Sequence, residues 1–159
     1  MVKFEAQSLA AVAKEYHRVQ DERITRLHLD HVPVIDEDNL RVNYLPIMQQ
    51  AIDAGYQSVM IDGSRLPLRE NIAATRQVVE LAHAAGVAVE GELGAVMGHE
   101  DGPPSSYEEI FSSGRGFTAP AEAERFVSQT QVDWLSMAVG SIHGAISKAF
   151  KDKKKWKRG

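Results

Sequence analysis

The stretch LHLDHVPVI, residues 27–35, sets a carboxylate and an imidazole side by side at Asp30 and His31. Such a pair can be an acid/base group next to a metal ligand, or a turn former beside a loop histidine. Residues of the same chemistry recur downstream: Asp62 in SVMIDGS, Glu90 and Glu92 in VAVEGE, Glu100 in GHEDG and His143 in SIHG. The chain has no cysteine. Any metal must therefore be held by histidine and carboxylates. The lysines stand at positions 3 and 14 and from 148 onward, so none falls on an expected strand or strand end. That argues against a Schiff-base mechanism.

The elements that must position these residues follow from periodicity. Residues 5–20 place Leu9, Val12, Ala13 and Tyr16 at helical spacing. Residues 24–30 alternate instead, with Leu27 and Leu29 on one face and Arg26, His28 and Asp30 on the other. A helix is expected over 42–54, with Pro46 in its first turn and Gly55 as its stop, and a strand over 57–62. NIAATRQVVELAHAAG carries Ile72, Val79 and Ala82 at helix spacing and ends on Gly86; a strand follows over 87–92. A helix over 118–130 opens with Pro120 in its first turn, and a last strand spans 132–140. Strands alternating with helices read as consecutive βα units with right-handed crossovers and parallel strands.

In such a sheet the carboxyl ends of the strands share one edge, where active sites sit. The expected strand ends carry Asp30-His31, Asp62, Glu90 with Glu92, and a loop ending in His143. Each has a plain structural role taken singly: Asp62 before Gly63-Ser64 as a turn former, Glu90 as an ion-pair partner, His143 as a loop histidine. Together they converge acids. Two carboxylates 4 Å apart repel by about 4 kcal/mol at an effective dielectric near 20. Arg26 and Arg65 are the only cations expected nearby. A divalent ion on His31 and His143, with a carboxylate, offsets the repulsion better.

With 159 residues, 43% hydrophobic and 25% charged, the composition is that of one globular domain with a sizeable core. The expected division is a domain over 1–150 and a basic tail over 151–159. The tail, KDKKKWKRG, holds six Lys/Arg and one acid, whereas the rest of the chain holds 12 basic and 21 acidic residues. An acidic body argues against nucleic acid as a partner. No apolar run is long enough for a membrane span and MVKFEAQSLA lacks the core of a secretion signal, so a cytoplasmic protein is expected. The connection 93–118, rich in Gly, Pro and Ser, interrupts the alternation and carries Glu100. Long loops on a rigid frame are commonly functional.

The segments LHLDH, SVMIDGS, PLRENIAATRQVVELAHAAGVAVEGELG, GHEDG, FTAPAEAERFV and VDWLSMAVGSIHG resemble successive motifs of the class II, metal-dependent fructose-bisphosphate and tagatose-bisphosphate aldolases. The resemblance runs from about Thr25 to Gly144. It implies a (β/α)₈ TIM-barrel fold, of which this chain holds about four βα units, the third to the sixth strand. It implies reversible cleavage of a phosphorylated ketose to dihydroxyacetone phosphate and an aldehyde, with zinc or a similar divalent ion and a monovalent cation. By the same resemblance His31 and His143 are metal ligands, Glu92 and Asp62 hold the metal or its alternative position, and Asp30 is the acid/base at the substrate hydroxyl. Glu100 is the loop acid that moves a proton on the dihydroxyacetone phosphate carbon. Gly144 and Ser64 are substrate or phosphate contacts. Four parallel strands cannot close a barrel. Apolar inner-face residues such as Val59 and Val89 are therefore expected to be exposed and the chain to be a homo-oligomer. The alternative is a non-catalytic metal-binding or oligomerisation module on the same fold.

Overall fold

The computed structural model of the chain describes residues 8–36, 38–94 and 117–139. Helix α1 (Leu9–Val19) is capped by Ser8, whose hydroxyl accepts the Ala11 N–H at 3.1 Å. Then come β1 (His28–Pro33), α2 (Tyr44–Asp53), β2 (Ser58–Asp62), α3 (Leu68–Ala84), β3 (Ala88–Leu93), α4 (Pro120–Thr130) and β4 (Trp134–Met137). Pro46 lies in the first turn of α2 and Pro120 opens α4, where a missing N–H costs nothing. Gly55 and Gly86 take positive φ after α2 and α3. The helix–strand alternation thus follows the sequence pattern, with shifted ends. β1 begins at His28, not 24, because Asp21 accepts the Arg23 N–H and its carbonyl accepts the Thr25 N–H, folding 21–25 into a turn.

All the strands described pair in parallel, in the order β1-β2-β3-β4. Leu29, Val59 and Val89 form one register row, and Val32, Ile61 and Gly91 the next. These rows face the helices. Val59, Ile61 and Val89 are fully buried in one cluster with Met48 and Ala51 of α2, Val78 of α3 and Phe126 of α4. Burying such an aliphatic side chain contributes about 1.5–3 kcal/mol. Val59 and Val89 are therefore not exposed inner-face residues, contrary to the sequence expectation. The parallel register points them outward, under the helical layer.

At Gly91 α4 packs close against the sheet: a Cβ there would lie 2.8 Å from the Phe126 ring and 3.2 Å from Val132. At the amino end of the strands, Asp133 accepts the Val89 N–H at 2.7 Å and pairs with His83 Nε2 at 2.9 Å. Burial would raise this carboxyl, but the Val89 and His83 hydrogen bonds outweigh it and hold Asp133 below the usual range. This end of the sheet is tied shut. The chemistry gathers at the other end.

Candidate metal centre

In a regular strand Asp30 and His31 would point to opposite faces. They do not. Leu29 pairs with Val59 and Val32 with Ile61, so β1 fits two residues where β2 has one. His31 adopts φ 49°, a left-handed conformation that costs a non-glycine residue about 1–3 kcal/mol. The bulge keeps Leu29 and Val32 against the helices and sends both Asp30 and His31 to the inner face. It also answers the question that LHLDH raises: neighbours in sequence become neighbours on one surface.

There His31 Nδ1 lies 3.6 Å from Glu92 Oε2 and 3.8 Å from Asp62 Oδ2. Donor atoms of all three lie within 4.8 Å of one another. Asp62 serves two purposes, since its Oδ1 accepts the Ser64 N–H at 2.9 Å and so also makes the turn after β2. Ser64 thus reaches the site through its backbone. Glu92 is the least solvated member, its side chain 6% exposed, and its Oε2 has no hydrogen-bond partner among the described residues. Burial first, then the charges of Asp62, Asp30 and Glu90, push its carboxyl up to about 7, against a smaller opposing pull from His31.

These residues fit a divalent cation. One imidazole and two carboxylates are a nitrogen–oxygen donor set. The 3.6 and 3.8 Å separations exceed a hydrogen bond and approach the edge of a tetrahedron of zinc ligands, about 3.4 Å for bonds near 2.1 Å. The buried, unpartnered Glu92 oxygen is the kind of atom a cation would satisfy.

A second polar group lies beside the first. His28 Nε2 stands 3.5 Å from Glu90 Oε2 and 3.8 Å from Asp30 Oδ1, its Nδ1 lies 2.8 Å from Ser58 Oγ, and Trp134 packs edge-on against the ring. Glu90 therefore sits in mid-strand with His28, not at the rim with Glu92. Periodicity placed His28 on the same strand face as Asp30, yet sequence reasoning did not count it among the site residues; the HxD spacing on one strand was the available signal. Neither expected arginine serves the centre. Arg26 donates to the Glu22 and Thr25 carbonyls, and Arg65 donates to the Asp36 carbonyl at 2.7 Å. Glu100, His143 and Gly144 lie outside the described residues.

The sequence profile described as "Fructose-bisphosphate aldolase class-II" matches residues 1–157. The chain belongs to that family. The fructose-bisphosphate aldolase of Staphylococcus aureus (strain Mu50 / ATCC 700699) is 41% identical over 118 residues, covering 74% of this chain and 35% of the relative. The 6-phospho-5-dehydro-2-deoxy-D-gluconate aldolase of Shouchella clausii is 42% identical over 118 residues, covering 74% of this chain and 34% of the relative. The chain spans about a third of the length of these curated relatives. Among solved structures, the YdjI aldolase of Escherichia coli K12 superposes with a TM-score of 0.62 at 25% identity, covering 87% of this chain and 44% of that one. The fold class is the α/β, TIM-barrel type of this aldolase family, with four parallel strands of it described here. Among the described residues no helix is long and apolar enough to cross a membrane.

Proposed function

We propose that the chain carries the metal and proton-transfer half of a class II aldolase site, acting on a phosphorylated ketose. His31, Asp62 and Glu92 would hold the divalent ion, zinc or a similar metal, and His143 would add a second imidazole. When bound, that ion supplies a Lewis acid to a substrate carbonyl. Asp30 takes the proton from the substrate hydroxyl as the adjacent carbon–carbon bond breaks; the bonding electrons stay with the dihydroxyacetone phosphate fragment, and the aldehyde leaves. Glu100 returns a proton to that fragment's carbon. Gly144 and Ser64 contact the substrate or its phosphate, with a monovalent cation near Gly144. The chain acts as a cytoplasmic homo-oligomer; self-association is favoured by β4, the last strand of the described sheet, whose Trp134 and Met137 are 51% and 48% exposed.

The observation that carries this reading is the bulge, which turns Asp30 and His31 onto the face where Asp62 and Glu92 converge. Two relatives of nearly equal identity are named for different sugars. That supports assigning the shared segment to the common chemistry rather than to sugar choice. The test is release of dihydroxyacetone phosphate from fructose 1,6-bisphosphate by the zinc-loaded chain, with and without chelator. Release that stops with chelator is expected. Release that survives chelation would overturn the mechanism, and stoichiometric zinc without any release would favour a metal-binding module.

A further inference from the structure

Helix α3 buries a stripe of Ile72, Val78, Val79 and Ala82, yet Asn71 and Thr75 share that stripe, exposed by only 1% and 0%. A buried amide is costly unless its polar atoms are paired. Asn71 Nδ2 donates to the Glu92 carbonyl at 2.8 Å, and its Oδ1 accepts the Thr75 hydroxyl at 3.1 Å. The carbonyl can only accept, which fixes the orientation of the amide. The same Oδ1 presses on Gly63, where a Cβ would stand 2.1 Å away. Gly63 follows Asp62 directly. One side chain therefore touches the backbone of one candidate ligand and the residue after the other. The register of β2 with β3 runs only to Ile61 with Gly91. That ladder stops one residue short of Asp62 and Glu92, and Asn71 spans the gap.

We propose that Asn71 is a positioning residue of the metal centre, holding the carboxyl ends of β2 and β3 at the spacing that lets Asp62 and Glu92 share one cation. The proposal rests on the metal reading of that site. An apolar residue would fill the same core position without a polar atom to satisfy. The absence of a side chain at Gly63 is what admits the amide.

The test is Co(II) binding by the full chain, followed by visible absorption. Asn71→Ala is expected to weaken binding by about 10–100-fold, the usual effect of losing an outer partner of a metal ligand. Thr75→Val, which removes only the hydroxyl that donates to Asn71 Oδ1, is expected to weaken it by a smaller factor. Val78→Ala, a fully buried change about two turns further along the same helix with no hydrogen bond to the site, should lower the thermal midpoint and leave affinity unchanged. Wild-type affinity in folded Asn71→Ala overturns the proposal; should that variant not fold, wild-type affinity in Thr75→Val does so. Equal weakening in Val78→Ala also overturns it, because it would mark general loosening of the core. Failure of the unmodified chain to bind Co(II) is a different result: it removes the metal reading and this proposal with it.

Discussion

His31 Nδ1 and Glu92 Oε2 face each other across β2 at 3.6 Å, one from a strained bulge and the other from a side chain only 6% exposed. The pair is too far apart to hydrogen-bond and sits on donors of opposite character. A cation between them would engage both the imidazole nitrogen and the unpartnered oxygen. The expected outcome is one zinc-like ion per chain, measured by elemental analysis after gel filtration. His31→Ala and Glu92→Gln should each reduce the content well below one. Full metal in both variants would remove the assignment.

Glu92 also sets a pH dependence in the metal-free chain. Its folded pKa, about 7, lies above the ordinary 4.5, so the folded state holds the proton more tightly between those values. Stability from this group is fully present below about 4.5 and falls as pH rises through 7, by on the order of 3 kcal/mol. Asp133, held low, loses its contribution only in the more acidic range below the usual carboxylate value. Urea midpoints in chelator should therefore drop from pH 5 to pH 8, and Glu92→Gln should flatten that slope. An unchanged slope in the variant would assign the dependence elsewhere.

Among the described residues Asp30 makes no hydrogen bond that would occupy its carboxylate; its ion-pair partner there is His28 Nε2 at 3.8 Å. On the proposed mechanism this carboxylate exchanges a proton with the substrate hydroxyl. Asp30→Ala should lower any metal-dependent cleavage by about 10²–10⁴ in kcat while leaving Co(II) affinity near wild type. Cleavage at the wild-type rate would sink the acid/base assignment, whereas lost metal would make Asp30 a ligand.

Gly91→Ala tests the outer packing. The added methyl meets the Phe126 ring at 2.8 Å, and that ring is fully buried. A loss of about 1–3 kcal/mol is expected from overpacking, read as a lower thermal midpoint. A neutral change would show that α4 can shift away from β3.

The periodicity of 5–20, 42–54, 71–86 and 118–130 was enough to find the helices, because an amphipathic helix writes its buried stripe within its own residues. The parallel direction of the strands and the acidic rim at Asp62 and Glu92 were legible for a related reason: the rules for βα units are local and chiral. The bulge was not. It exists only as a mismatch of β1 against β2, and nothing in LHLDHV alone states that His31 will turn left-handed. The direction of Val59 and Val89 depended likewise on which face the helices cover. Glu90 and Glu92 look alike in VEGE, yet the sheet gives one to His28 and the other to His31. The raised pKa of Glu92 came from elements far apart in the chain. Asn71 read as one more position of a helix until the fold set it against Gly63 and the Glu92 carbonyl. Sequence therefore determined which segments form and which chemistry they carry; pairing and burial, which join residues distant along the chain, decided where each side chain points and what charge it can hold.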